Sequence, residues 1–307
     1  ITSVHPGETL TVPKTANLGG NAAAVADSNG GTLALNGMSG SNGEAVTLAN
    51  ALSGSGGTVS LNTSGTGENR QVSNVQLSGD NRGFDGSYIV SGGSTLTAGS
   101  QQALGGSGAT VALNSSDSTL NLSDFSGSLG NSITGSGLLT LSSDSDLTLS
   151  DNGVVAGTVG VNLDGSSRLT LRGLASFNHA LTGSGELNIS GTGSTPTAFS
   201  FLSQTGSGFT GDVTLSNVGY DLTGNNASAL TGATLITGNN SQVTVSNNTN
   251  LGNLTLDGGT LTFNQGTVST NQLSLGGRTV VQVAPALTLA SNLIAQRQGA
   301  TRTLVRS

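Results

Sequence analysis

The chain has 307 residues and a net charge of −7, with 8% charged and 3% aromatic residues, 49 glycines, and neither cysteine nor tryptophan. This composition excludes a disulfide framework and argues against a basic nucleic-acid surface, or one for anionic glycans, as a generic property. Hydrophobic residues still reach 34%, mostly Leu, Val, Ile and Ala in alternation with small polar residues, which excludes disorder and predicts a thin, long, aliphatic core.

Along the chain one phrase returns: Thr32-Leu33-Ala34-Leu35-Asn36, Thr58-Val59-Ser60-Leu61-Asn62, Thr110-Val111-Ala112-Leu113-Asn114, Asp146-Leu147-Thr148-Leu149-Ser150, Arg168-Leu169-Thr170-Leu171-Arg172 and Asn253-Leu254-Thr255-Leu256-Asp257. Period two places the aliphatics on one face of a short strand and the polar residues on the other. The first inward aliphatics recur at 19 residues from Leu120 to Leu139 and at 22 from Leu147 to Leu169, and Leu235, Leu254 and Leu273 are 19 apart. A second series, Val243, Leu261 and Val281, follows at 18 and 20. Two interleaved series with one period mean at least two strands per coil, and the remaining residues have room for a third. The longest internal match aligns residues 52–62 with 104–114, a separation of 52 that points to duplicated coil units.

Hairpin-linked sandwiches pair strands within about ten residues through two-residue turns. Recurrence one coil later instead predicts a parallel β-helix of about 20 residues per coil with three short strands, spanning residues 1–307 as one segment. An isolated coil cannot fold: about six buried aliphatics at ~1.5 to 3 kcal/mol each do not offset ~1 to 2 kcal/mol of backbone entropy per residue. Stacking neighbours must supply the rest. Local helix signals are confined to a turn or two at 21–26, 101–104 and 293–297. Residues 64–73, 191–208 and 223–232 lack clean alternation and read as loops.

The segments Asn81-Arg82-Gly83-Phe84-Asp85-Gly86-Ser87-Tyr88, Asp124-Phe125-Ser126-Gly127-Ser128-Leu129 and Gly208-Phe209-Thr210-Gly211-Asp212-Val213-Thr214-Leu215 share an aromatic-x-Gly element. Together with Gly-Ser-Gly-x-Leu-x-Leu stretches such as 135–141, the chain resembles the passenger domains of classical Gram-negative autotransporters, the pertactin and AIDA type of adhesin. That resemblance implies a right-handed parallel β-helix, export across the outer membrane through a C-terminal barrel that these residues do not include, and display at the cell surface. It implies adhesion, self-association with other copies, biofilm formation, or attachment to host matrix proteins or glycans. The Gly-Asp-Ser-Gly motif of the protease branch is absent.

The motif Gly206-Ser207-Gly208-Phe209-Thr210-Gly211 matches the dinucleotide fingerprint G-x-G-x-x-G, but a strand rather than a helix follows, so it reads as a coil corner. The sole lysine is Lys14, which leaves no phosphate-binding loop. His5 and His179 lie far apart, with no adjacent ligand, and are expected as surface or loop imidazoles. No cofactor or metal is expected, and no catalytic residue is assigned.

The densest acidic spot is Asp144, Asp146 and Asp151, with Asp144 and Asp146 placed on one side of the strand that ends in Leu147-Thr148-Leu149. One coil on stand Asp164, Arg168 and Arg172, and at the ~4.8 Å spacing of stacked strands Asp146 and Arg168 would form a ladder pair. These six residues form the candidate ligand-binding face. The blander reading is a surface ion pair worth at most about 1 kcal/mol. A polysaccharide hydrolase or lyase using Asp144, Asp146 and Asp151, and a spacer that only lifts a distal region from the membrane, are the alternatives to an adhesin. Arg278, Arg297, Arg302 and Arg306 give the C-terminal stretch a basic bias that reads as a solvated rim. Phe84, Phe125 and Phe209 are expected at coil corners. The pairs Asn225-Asn226, Asn239-Asn240 and Asn247-Asn248 are either internal amide ladders or turns.

Overall fold

The computed structural model describes residues 2–13, 15–19, 25–27, 30–246, 249–251, 253–264, 267–269, 272–276, 279–283, 288–289, 293–297 and 300–304. The chain is a parallel β-solenoid of about 11 turns and about 22 residues per turn. The expected coil length of 20 is thus slightly short, because individual coils vary: Leu169 stacks on Leu187, 18 residues on, and Thr58 on Ser87, 29 residues on. Two compact units divide the chain, one comprising 1–147 with 153–162 and the other 148–152 with 163–307.

In the first unit, one series of parallel strands runs Val25–Asp27, Leu52–Asn62, Phe84–Val90, Thr110–Leu113 and Ile133–Gly135. A second runs Val46–Leu48, Asn74–Leu77, Thr95–Ala98, Thr119–Ser123 and Leu138–Ser142. Val59 pairs with Tyr88, and Tyr88 with Val111, so the matched segments 52–62 and 104–114 are stacked two coils apart. In the second unit three strands per coil are visible directly: Asn253–Asp257, Thr260–Phe263 and Thr267–Ser269 pair with Gln272–Leu275, Val280–Val283 and Thr288–Leu289. The Leu120 to Leu139 spacing and the Val243, Leu261, Val281 series are register partners. Leu235, however, pairs with Leu256 rather than Leu254, while Leu254 pairs with Leu273. Leu254 and Leu256 are equally apolar, so periodicity alone could not choose between them.

Inward columns such as Leu169, Leu187, Val213, Leu235 and Leu256 are buried and in register, so one aliphatic stacks on the next. The core is not wholly aliphatic. All seven phenylalanines and both tyrosines are at most 2% exposed, and Phe201 lies edge-on to Phe177, Phe199 and Tyr220 at 5.2 to 6.3 Å. Both tyrosine hydroxyls donate to backbone carbonyls, Tyr88 to Leu104 and Tyr220 to Asn226.

The aromatic-x-Gly element has a packing cause. A Cβ on Gly86 would lie 2.2 Å from the Gly57 carbonyl oxygen and 2.7 Å from the Phe84 ring, and one on Gly211 would lie 1.9 Å from the Gly185 carbonyl oxygen and 2.7 Å from the Phe209 ring. The ring folds back over the glycine two residues on, where no side chain fits. At Phe125 the ring is equally buried, but Gly127 answers to its φ of +129° instead.

Corners are held by buried polar side chains. Asn81 is fully buried; its Oδ1 accepts from the Leu52 N–H at 2.7 Å and its Nδ2 donates to the Ala103 carbonyl at 2.6 Å, tying together three successive coils. Asn131 donates to the Gly106 and Ala109 carbonyls, and Asn226 to those of Phe199 and Asp221 while accepting from the Phe201 N–H. Four tight turns, at 91–94, 115–118, 142–145 and 164–167, each end on a buried serine whose N–H closes the turn at 3.0 to 3.3 Å.

Residues 101–104 form the one-turn helix the sequence predicts, with the Ser100 hydroxyl accepting from the Ala103 N–H at 3.0 Å. Of the other two helical expectations, the one at 293–297 fails and the one at 21–26 is described only at its end. Leu293–Arg297 is a strand, antiparallel to Ala300–Leu304, because an adjoining sheet offers ladder hydrogen bonds that outweigh weak helix propensity. Val25–Asp27 is likewise extended, and residues 21–24 lie outside the described residues. Within the expected loop 191–208 the strand Thr197–Phe201 forms, and 223–232 contains the helical turn Asn225–Ser228.

Candidate functional site

The outward faces carry the side chains available to other molecules. On the second unit, the strands Thr197–Phe201, Val218–Asp221, Gln242–Val245, Thr260–Phe263 and Val280–Val283 stack in that order. Alternation sends Phe199, Tyr220, Val243 and Leu261 inward and leaves two outward columns. One is Ala198, Gly219, Gln242 and Thr260; the other is Ser200, Asp221, Thr244, Thr262 and Gln282. A groove runs over this face in two lobes of about 370 and 420 Å³ that share Gln242 and Thr244. Pro196, Ala198 and Gly219 line the first lobe; Thr260, Thr262 and Gln282 line the second.

Among the described residues Asp221 is the single charged one lining the groove, and its Oδ1 accepts from the Ser246 N–H at 3.1 Å and the Thr244 hydroxyl at 3.4 Å. The carboxylate is thereby fixed against the sheet. The backbone N–H and C=O groups of Val218–Asp221, Gln242–Val245 and Thr260–Phe263, each paired on both sides, are engaged in the parallel ladders, so the groove floor there presents amides and hydroxyls of side chains.

The six residues expected to form a ligand face are divided between the two units: Asp144 and Asp146 in the first, Asp151, Asp164, Arg168 and Arg172 in the second. Asp144 is not on the strand. Ser143 and Asp144 have φ of +52° and +61°, so the chain turns there before Asp146 opens the strand Asp146–Leu149. Short polar residues tolerate this left-handed conformation best. Asp144, Asp146 and Asp151 are all exposed. Asp164 shapes the next turn, accepting from the Ser166 N–H at 3.1 Å and the Ser166 hydroxyl at 3.0 Å. Arg168 stacks on Glu186 and Glu186 on Asp212; the Arg168 guanidinium meets the Glu186 carboxylate at 3.0 Å, with both side chains part-exposed. Such a pair contributes at most about 1 kcal/mol. Arg172 is exposed beside Ser190.

His5 lies exposed beside Glu8 at 3.4 Å, whereas His179 is only 5% exposed and packs edge-on against Phe177 at 4.9 Å. The imidazole at 179 thus lies in a loop, between Ser176–Phe177 and Leu181–Gly183, but is buried rather than on the surface, drawn in by the aromatic cluster. The glycine fingerprint at 206–211 leads into the strand Asp212–Ser216, as expected of a corner. Asn226 is internal, while Asn240 sits in an exposed turn at φ +55° and donates to Asn217 one coil earlier at 2.7 Å. Asn247, Asn248, Arg278 and Arg306 lie outside the described residues. Among the described residues no three His, Cys, Asp or Glu side chains are grouped to hold a metal ion.

Sequence reasoning missed the groove because its first strand lay in a presumed loop. The signal was present: Thr197-Ala198-Phe199-Ser200-Phe201 alternates with phenylalanine in place of leucine. Comparison with protein-family models, curated proteins and solved structures finds no match to this chain.

Proposed function

We propose that the chain is an adhesive module displayed at the cell surface, which self-associates with other copies or attaches to host matrix proteins or glycans and so promotes aggregation and biofilm formation. The observation that carries this reading is the outward column Ser176, Ser200, Asp221, Thr244, Thr262 and Gln282, six coils with one charge between them. A column of this kind repeats a hydrogen-bonding group once per coil, and many weak contacts of one type add through effective concentration. Like charges that would oppose the approach of a second copy are few.

Large exposed apolar side chains among the described residues are limited to Leu202 and Val280, so association is polar rather than hydrophobic. The exposure of Asp144, Asp146 and Asp151 suits contact better than acid-base chemistry, which needs a carboxyl in a shielded setting.

The test is display of the chain on a non-aggregating bacterium, scored by settling, with the purified chain applied to matrix-protein and glycan arrays. Settling or retention is expected. Neither settling nor retention contradicts the reading, and adhesion unchanged after deletion of two whole coils would reduce the chain to a spacer.

A further inference from the structure

Gly219 is unexplained by its own strand. Glycine inside a strand weakens it, and it ordinarily marks a positive φ, a crowded backbone, or a surface kept bare for a molecule to approach. Elsewhere in the chain the first two reasons are visible: Gly54 has φ +119°, and Gly86 has a carbonyl oxygen 2.2 Å from where its Cβ would be. Neither holds at Gly219. Its φ lies outside the left-handed region, and the nearest atom to an added Cβ is the Thr197 carbonyl oxygen at 3.9 Å. A Cβ meets no clash there, and its absence leaves the floor of the first lobe open, beside Gln242 in register.

The groups around that floor define what fits it. Gln242 and Thr262 make no side-chain hydrogen bond with the described residues, so their donors and acceptors are available. Thr244, Thr262 and Gln282 recur along the groove at the ~4.8 Å spacing of stacked strands, with Gln242 beside Thr244 on the same strand, which suits a repeating chain rather than a compact molecule. An anionic polymer would meet Asp221 with no cation among the described lining residues to offset it. An extended peptide would find the three strands that floor most of the groove, Val218–Asp221, Gln242–Val245 and Thr260–Phe263, already paired on both sides.

We propose that this groove binds a neutral, linear polyhydroxylated polymer, a glycan chain without carboxylate or sulfate, running along the stacking direction with one sugar seated on Gly219. This rests on the reading of the chain as a surface binding module and specifies its ligand class and site.

The experiment applies the whole chain to an array of neutral linear oligosaccharides, with sulfated chains, uronate chains and a Ser/Thr-rich peptide as further arms. Wild type, Gly219→Ile, Gln242→Ala and Thr262→Val are compared, each with its urea midpoint and its settling when displayed on cells. Expected are preferential retention on neutral chains, at least a tenfold loss in Gly219→Ile with an unchanged or raised midpoint, and a several-fold loss in Gln242→Ala. If Gly219→Ile unfolds early, the Gln242→Ala and Thr262→Val losses decide. Retention only on charged chains or peptide, no retention on neutral chains, or equal retention by all variants overturns the proposal. Persistent settling alongside such a result would spare the adhesive reading, whereas absence of both settling and retention would remove that reading as well.

Discussion

Replacing Asn81 by leucine tests how the corners hold the coils together. The side chain is fully buried and satisfies two main-chain groups on different coils, the Leu52 N–H at 2.7 Å and the Ala103 carbonyl at 2.6 Å. Leucine keeps the branched outline of the side chain but has bulkier methyl groups, so both partners lose their hydrogen bonds in a buried site and any crowding adds to the loss. Each orphaned group costs about 1 to 3 kcal/mol, which gives about 2 to 6 kcal/mol in all. The assay is urea denaturation followed by far-UV circular dichroism, with hydrogen exchange at Leu52 as the local readout. In a solenoid the loss falls first on the coils concerned, so exchange at Leu52 should accelerate by more than tenfold even where the global transition moves less. A loss below 1 kcal/mol with unchanged exchange at Leu52 would refute the assignment of Asn81 as an inter-coil tie.

Gly86→Ala should destabilise the fold by about 1 to 3 kcal/mol, because the new methyl meets the Gly57 carbonyl and the Phe84 ring, neither of which can swing away. Gly219→Ala, where the new methyl makes only an ordinary contact at 3.9 Å, should be neutral or stabilise by up to about 1 kcal/mol; equal urea midpoints for the two variants would contradict the packing account of the aromatic-x-Gly element. Burial raises the phenol pKa of both Tyr88 and Tyr220, so in the folded chain they stay protonated as pH passes the ordinary value of about 10. The folded pKa lies above the unfolded one, so the stability associated with the neutral phenols is fully present below pH ~10 and is lost progressively above it. With two tyrosines and no tryptophan in the chain, tyrosinate absorbance reads this directly: both phenols should ionise together with unfolding, and ionisation of either one in the folded chain would refute it.

Much of the architecture was legible because it rests on period two. Leu120 with Leu139, Val243 with Leu261, and the 52-residue match all became register partners or stacked coils. What escaped were features that depend on neighbours brought in by stacking. Leu293–Arg297 becomes a strand through its pairing with another segment, and His179 is buried because Phe177 and the ring cluster around it close over that corner. The buried corner serines were readable in Ser91-Gly92-Gly93-Ser94, Ser115-Ser116-Asp117-Ser118 and Ser142-Ser143-Asp144-Ser145, yet in a serine-rich chain their spacing does not stand out. The acidic residues at 144–151 drew attention through charge, while the groove is lined mainly by Gly219, Ala198, amides and hydroxyls that carry none, with Asp221 the one charge among its described lining residues.

The account depends on outward residues of successive coils lying side by side, and a paired cysteine substitution measures that directly. Ser87 and Thr110 are register partners with hydroxyl oxygens 2.9 Å apart, and the chain has no native cysteine to interfere. Under mild oxidation, Ser87→Cys with Thr110→Cys should close a disulfide rapidly and near completely, since adjacent strands bring Cα atoms within the ~4.4 to 6.8 Å that the bridge needs. Ser87→Cys with Thr119→Cys, which belong to different stacked columns, should not. Failure of the first pair, or equal cross-linking of both, would contradict the stacked register on which the binding surface is built.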